Sequence, residues 1–237
     1  MLNNELKKNF PKHVAFIMDG NRRWANNKKL PIIEGHKKGI ETIKKILKKS
    51  LKFNIKYLTF YGFSTENWKR APSEIRDLKE LLLFYLDSEI DNFIRNKINF
   101  SFIGDLSRFN HSVRNKLSEL TEITKKFSKI YFILALGYGS RNEIIQAINK
   151  CKKELKNIHI TEKLFSKYLM TNNIPDPDFV IRTSGEMRLS NFLLWQIAYS
   201  ELYFTKTYWP DFNSNSYEQA LRNYIKRKRR FGRDLKA

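Results

Sequence analysis

The sequence predicts an α/β fold: a single domain with a mainly parallel central sheet flanked by helices. Three observations carry this. Apolar runs of strand length, Val14 to Met18 and Ile130 to Leu136 among them, have no polar side, as expected of strands covered on both faces. Segments with helical spacing alternate with those runs. No linker, low-complexity tract or internal repeat divides the 237 residues, a length at which one domain buries a sizeable core.

The first strand stops at Asp19-Gly20-Asn21, followed by Arg22, Arg23 and Trp24. Gly35-His36 then opens an amphipathic helix in which Ile40, Ile43, Ile46, Leu47 and Leu51 recur between lysines. Tyr57 to Gly62 reads as a second buried strand, ending in Ser64-Thr65-Glu66-Asn67-Trp68-Lys69-Arg70. Pro72 suits the first turn of the next helix, which runs to about Ile94. Its apolar face is wider than one stripe. Two explanations stand open: a helix packed on both sides, or a helix with one side on a long apolar cavity.

Asn99 to Asp105 is a third strand, His111 to Phe127 a helix, and Ile130 to Leu136 the fourth strand, leading to a helix at Arg141. A further helix begins at Thr161-Glu162. Pro175-Asp176-Pro177 breaks the chain before the strand Phe179 to Arg182. Glu201 to Phe204 is the last short strand, and a closing helix runs from about Tyr217 into Lys226-Arg227-Lys228-Arg229-Arg230.

Composition bounds the function. The longest apolar run is strand-sized, far short of the ~18 residues a membrane span needs, and the N-terminus lacks a signal-peptide core. The single Cys151 forms no internal disulfide. These features predict a cytoplasmic protein. The net charge of +21 suits nucleic acid, an anionic membrane surface or a phosphorylated substrate. Many of the lysines lie on helical stretches where a solvated face explains them, so charge alone decides nothing.

Strand ends are more informative, because ligands of open α/β sheets bind beyond the carboxyl ends of the strands. Three such ends carry anion-binding chemistry. At the first, Asp19 suits Mg²⁺, Gly20 lets a phosphate approach the backbone, and Arg22 and Arg23 donate charge-assisted bonds. The second is Ser64 to Arg70. The third, Arg182-Thr183-Ser184-Gly185-Glu186-Met187-Arg188-Leu189-Ser190, sets two arginines around a Ser-Gly turn and suits a bidentate grip on a diphosphate. Each loop alone also reads as an Asx turn or a salt-bridge network. Three at one edge favour a phosphorylated ligand.

Taken together, the blocks His13 to Ala25, Gly35-His36, Phe63 to Arg70, Asp178 to Glu186, Arg188 to Gln196, Ala198 to Phe204, Trp209 to Phe212 and Arg229 to Gly232 closely resemble the cis-prenyltransferases, the undecaprenyl diphosphate synthase family. The resemblance covers nearly the whole chain. It implies the cis-prenyltransferase fold with an apolar tunnel, not a nucleotide-binding Rossmann fold, and Mg²⁺-dependent elongation. Isopentenyl diphosphate would condense repeatedly onto farnesyl diphosphate, giving a long polyprenyl diphosphate, undecaprenyl for cell-wall carrier synthesis.

By the family's pattern Asp19 is the Mg²⁺ ligand and Glu201 a second metal-associated carboxylate. Gly20, Asn21, Arg22, Arg23 and His36 would bind the allylic diphosphate. Arg182, Arg188 and Ser190, with Leu189 between them, would hold isopentenyl diphosphate. Trp24 and Trp68 would flank the prenyl chain, and Ser64, Thr65, Glu66 and Arg70 belong to a mobile substrate loop. Asn67 matches the family's supposed proton acceptor; a carboxamide is a poor base, so positioning or relay is the role expected. The resemblance further implies a homodimer whose basic tail, residues 226–237, approaches the partner subunit. The basic surface would let the enzyme dwell on anionic membranes.

The chain departs from the family's pattern at Ile32, where an arginine is usual, so one phosphate donor is missing. Lys28, Lys29 or Lys37 would compensate as looser point charges. Ala71 intervenes before Pro72, and Gly137 replaces a usual Asn. Other classes fit these residues less well. An aspartyl phosphatase needs a second Asp where Asn21 stands. A non-catalytic partner subunit would not need Asp19, Arg22, Arg23, Arg182, Arg188, Ser190 and Glu201, although Ile32 is the feature in its favour. A nucleic-acid binder rests on charge alone, and no nucleic-acid partner is expected.

Overall fold

Alternation of apolar side chains decides the architecture. Val14 and Phe16 point to one face of the first strand, Ala15 and Ile17 to the other, and all four are buried. A strand apolar on both sides must lie inside a covered sheet. In a computed structural model of the chain, which describes residues 9–155 and 158–227, β1 (His13–Ile17), β2 (Tyr57–Ser64), β3 (Ile98–Ile103), β4 (Ile130–Tyr138), β5 (Phe179–Arg182) and β6 (Glu201–Phe204) form one sheet in the order β3-β4-β2-β1-β5-β6. Every pairing is parallel. The expected mainly parallel sheet is therefore wholly parallel.

The helices are α1 (Asn21–Asn27), α2 (Ile32–Phe53), α3 (Pro72–Arg95), α4 (His111–Thr124), α5 (Ser140–Glu154), α6 (Glu162–Ser166) and α7 (Ser214–Ile225). One face of the sheet carries an aromatic row, with Phe16 stacked on Phe60 at 5.0 Å and Phe60 4.9 Å from Phe132. Residues of α2, α3, α4 and α7 join this cluster. The other face packs Ala15, Ile17, Tyr61 and Ile133 against Phe192, Leu193 and Ile197, and α5 and α6 share a smaller cluster around the buried Cys151.

The wide apolar face of α3 has a mixed explanation. Leu78, Leu82 and Tyr85 line an apolar cavity of ≈ 120 Å³ between α3, α2 and the sheet. Phe84, on the opposite side, is 72% exposed. So α3 lines a cavity, though a short one, and is not packed on both sides. No described helix is long and apolar enough to cross a membrane. Of the basic tail, residues 228–237, including Arg229, Arg230, Phe231 and Gly232, lie outside the described residues.

Candidate active site

Parallel pairing brings the ends of β1, β2 and β5 to one edge, because Ile17 is level with both Tyr61 and Arg182. Asp19 sits just past that edge and is fixed through its backbone. Its N–H donates to the Thr183 hydroxyl at 3.0 Å, while its carbonyl accepts from that hydroxyl at 2.7 Å and from the Trp209 N–H at 3.0 Å. Gly20 follows at φ 108°, where a Cβ would stand 2.8 Å from the Tyr208 ring and 2.9 Å from Ser184 Cβ. Only glycine makes this turn without strain.

The Asp19 carboxylate is gripped by two arginines. Arg182 Nη2 lies 2.8 Å from Oδ2 and Arg23 Nη2 3.3 Å from Oδ1. Partial burial alone would raise the Asp19 pKa. The Arg182 bond and charge, then those of Arg23, outweigh it and hold the carboxyl below its usual range. Arg182 Nη1 also donates to Ser190 Oγ at 2.7 Å and to the Arg188 carbonyl. Arg23 Nη1 donates to Glu186 Oε1 at 3.0 Å, and its Nη2 also donates to the Ser184 hydroxyl. Arg188 pairs with Glu186 as well. Arg182 Nε is buried without a partner. The loop holding this cluster contains Ser184, Ser190, Asn191 and Leu193 at positive φ, a concentration of strain typical of sites whose geometry is over-determined by their surroundings.

On the other side of Asp19, Arg22 lies 3.9 Å and Arg70 3.0 Å from the Glu74 carboxylate, whose side chain is largely buried. His36 is close to both arginines. Its pKa falls to about 4, chiefly through burial and then through the Arg70 and Arg22 charges. His36 Nε2 and Asn21 Oδ1 are buried without partners, and both residues line the apolar cavity at the end nearest Asp19. Two helices meet tightly here: a Cβ on Gly35 would lie 2.2 Å from the Asn21 carbonyl oxygen.

The segment after β2 forms a 3-10 turn over Thr65–Lys69. Asn67 Oδ1 accepts from the Ser64 N–H at 2.9 Å, half of a reciprocal capping box with the Ser64 side chain. One lone pair of its oxygen is therefore engaged, and its amide nitrogen can only donate. Glu66 accepts from Asn191 Nδ2 at 3.1 Å, joining this turn to the Arg188–Ser190 loop, and Thr65 Oγ1 closes over Gly139.

Several of the expected site residues are not brought to Asp19 within one chain. Glu201 begins β6, in register with Phe179, while Asp19 lies beyond the opposite end of the sheet. At strand rise the offset is roughly 16 Å along the strands, and Glu201 instead binds Arg227 Nη1 at 2.8 Å. The two carboxylates do not meet within one chain. Trp24 does not line the cavity; it is buried and its Nε1 donates to Asp211 at 2.8 Å, tying α1 to the Trp209–Asp211 turn. Trp68 faces the outer side of α3, beneath Lys79 and Arg108 and against Phe109. Leu189, between Arg188 and Ser190, packs its side chain against the sheet. Of the lysines expected to stand in for the arginine missing at Ile32, Lys37 is bound to Glu34 at 2.7 Å and Lys28 sits over the Trp24 ring.

Sequence reasoning missed Glu74, Glu186 as an arginine tether, Thr183 and Asp211. Glu74 had a signal, since it follows Arg70 by four residues at a helix start. The tertiary partners of the others leave no local trace.

A family model described as "Putative undecaprenyl diphosphate synthase" matches residues 17–232. The chain belongs to this family. An isoprenyl transferase of Fusobacterium nucleatum is 48% identical over 227 residues, 96% of this chain and 98% of that protein. A ditrans,polycis-undecaprenyl-diphosphate synthase ((2E,6E)-farnesyl-diphosphate specific) of Photorhabdus laumondii is 42% identical over 97% of this chain and 92% of its own. Among solved structures, lavandulyl diphosphate synthase of Lavandula x intermedia, in complex with dimethylallyl diphosphate, aligns with a TM-score of 0.92 and 35% identity over 95% of this chain and 99% of its own. A "probable undecaprenyl diphosphate synthase" of Campylobacter jejuni aligns at 0.81 and 34% over 94% and 99%. The family's fold is thus this chain's fold.

Proposed function

We propose that the protein is a cis-prenyltransferase that condenses isopentenyl diphosphate repeatedly onto farnesyl diphosphate, releasing a long polyprenyl diphosphate of undecaprenyl type. One observation carries the proposal. An arginine-rich cluster around Asp19 adjoins in sequence, through Met18 and Asn21, an apolar cavity that those two residues line and that holds buried polar atoms with no partner, Asn21 Oδ1 and His36 Nε2. A molecule with a diphosphate head and a hydrocarbon tail fits both halves.

In the reaction the allylic C–O bond breaks and diphosphate departs with its electron pair. The double bond of isopentenyl diphosphate attacks the resulting carbon, and loss of one proton leaves the new cis double bond. Arg22, Arg70, His36 and Asn21 would hold the allylic head; Arg182, Arg188, Ser190 and Arg23 would hold the second diphosphate. Such fixed donors oppose the charge that develops on the leaving group. Asn67, whose oxygen accepts the Ser64 N–H, would orient substrate through its amide N–H groups. Glu74 and Glu186 occupy arginines that the diphosphates would take over. Ser64, Thr65, Glu66 and Trp68 would order the segment above the bound head, and Gly20 gives a phosphate access to the backbone.

Among the described residues no cluster of three His, Cys, Asp or Glu side chains is built to hold a metal. A lone Asp19 still fits Mg²⁺, an ion that commonly takes one or two carboxylates plus substrate phosphates and waters. Mg²⁺ there would neutralise diphosphate charge. Glu201 would join a metal only across a two-fold dimer. β6 is an edge strand, and antiparallel pairing of two such edges would carry each Glu201 toward the other copy's Asp19 end. Residues 1–237 would act as one catalytic domain in the cytoplasm, with loose contact to anionic membranes.

The test is transfer of labelled isopentenyl diphosphate to farnesyl diphosphate with Mg²⁺ or with excess chelator, followed by NMR of the new double bonds. Chelator-sensitive transfer giving cis bonds is expected. Trans bonds or no transfer would refute the proposal.

A further inference from the structure

We infer that Asn191 is a positioning residue whose bond to Glu66 couples the two diphosphate loops, so that each substrate tightens the site's hold on the other. The inference rests on the two-diphosphate reaction proposed above.

Asn191 follows Ser190 directly and stands at φ 63°, in the left-handed region that asparagine enters more readily than most side chains. Three segments meet on it. Its carbonyl accepts from the Ser140 N–H at 2.8 Å, and its Oδ1 from the Arg141 N–H at 2.9 Å. Both are donors that the first turn of α5 leaves without helical partners. Ser140 is fully buried and its hydroxyl accepts the Leu194 N–H at 3.0 Å, which fastens the same loop to α5 a second time. The remaining group of the Asn191 side chain, Nδ2, donates to Glu66 Oε1 at 3.1 Å. Gly139 leaves room for this joint: a Cβ there would stand 2.6 Å from Thr65 Oγ1 and 2.7 Å from Asn191 Nδ2.

The two sides of the joint differ in how firmly they are held. On the α5 side the bonds run to backbone at a helix start, whereas Glu66 is exposed. What burial Glu66 has would raise its pKa. The bonds it accepts from its own N–H, from Asn191 and from the Ser64 and Thr65 hydroxyls outweigh that and hold the carboxyl below its usual range. An ionised Glu66 therefore gathers the turn after β2 about itself and hands it to Asn191. An exposed bond of this kind opens without disturbing the sheet, which suits a contact made and broken during turnover. Each side of the joint leads to one diphosphate. Asn191 continues from Ser190, whose hydroxyl accepts from Arg182 at 2.7 Å. Glu66 lies in the turn that ends at Arg70, whose Nη1 is 3.0 Å from Glu74. A diphosphate that fixes Ser190 fixes Asn191, and through Glu66 the turn that places Arg70. The reverse effect follows by thermodynamic reciprocity.

The test is calorimetric binding of a non-reactive allylic diphosphate, farnesyl thiolodiphosphate, with Mg²⁺ present and with or without saturating isopentenyl diphosphate. In wild type, isopentenyl diphosphate should tighten its binding about threefold to tenfold. Asn191→Asp keeps the acceptor for the Arg141 N–H, at a helix N-terminus that suits a carboxylate, but sets a like charge against Glu66. Coupling there should fall below about twofold. In the double variant Asn191→Asp with Glu66→Gln, the new amide donates to the new carboxylate and the bond runs in reverse. Coupling should return to within about twofold of wild type, a recovery that a purely structural part for Asn191 does not produce. Full coupling in a folded Asn191→Asp protein, or no recovery in a folded double variant, overturns the inference. If Asn191→Asp does not fold, Glu66→Ala takes its place, since it leaves the α5 contacts intact; it should lose the coupling, and full coupling there overturns the inference. A wild type that binds both diphosphates with no mutual effect overturns it too. A wild type that transfers no prenyl group from farnesyl diphosphate refutes the reaction itself, which separates the two failures.

Discussion

The Arg182 guanidinium binds the Asp19 carboxylate at 2.8 Å with one nitrogen and the Ser190 hydroxyl at 2.7 Å with the other. The Arg182 side chain is 5% exposed and that of Asp19 29%. One residue thereby fixes the carboxylate and keeps a planar donor surface at the strand edge. Arg182→Lys retains the charge and loses the fork. It should lower kcat/KM for isopentenyl diphosphate about 100-fold, with KM for farnesyl diphosphate changed far less. Steady-state kinetics in each substrate would show this; an equal rise in both KM values would refute a separate role for Arg182.

Two histidines make stability depend on pH. His13 is wholly buried, and its pKa falls to about 4, chiefly through desolvation and against the opposing Pro175 carbonyl and Asp178 charge. His36 falls to about 4 as well. The folded protein keeps both neutral while the unfolded chain takes up protons below pH 6.5. Stability is therefore full above pH 6.5 and lost as pH falls from 6.5 to 4, by ~3 kcal/mol for His13. Urea unfolding across this range should show the loss. A flat profile would contradict the burial of these rings as neutral species.

Asn67 separates capping from chemistry. Asn67→Asp keeps an acceptor for the Ser64 N–H and loses the amide donor, whereas Asn67→Ala loses both. If the amide orients substrate, both variants should lose at least ~10-fold in kcat. Only Asn67→Ala should also destabilise the turn, by ~1 kcal/mol. Full turnover by Asn67→Ala would remove any chemical role for this residue.

Ile32 opens α2, close in sequence to His36. Ile32→Arg would restore a charge-assisted donor, and KM for the allylic diphosphate should fall roughly threefold to tenfold. An unchanged or higher KM would show that Arg22 and Arg70 already saturate the head group.

The sheet was legible because its strands are apolar on both faces and end in polar, glycine-containing turns, as Asp19-Gly20 and Ser184-Gly185 do. The site was legible to the extent that it lies at those ends. Asp19, Arg23, Arg182 and Ser190 meet because parallel register brings their strand ends together. The distance of Glu201 from Asp19 within one chain was not legible: a strand can be read at Glu201–Phe204, but its pairing of Glu201 with Phe179 cannot. Trp24 and Trp68 show a second limit. An aromatic beside a motif does not reveal which way it faces, and an unforeseen bond to Asp211 draws Trp24 away from the cavity. The exposure of Phe84 depends on what α3 packs against, which no local pattern encodes.

The most direct test of prenyl transfer at the Asp19 cluster is incubation of wild type and Asp19→Ala with farnesyl diphosphate, radiolabelled isopentenyl diphosphate and Mg²⁺, with products separated by chain length. A ladder of long polyprenyl diphosphates from wild type, and a loss of at least ~1000-fold in Asp19→Ala, is the expected result. A folded wild type giving no ladder with farnesyl, geranyl or geranylgeranyl diphosphate, or an Asp19→Ala enzyme as active as wild type, would contradict it.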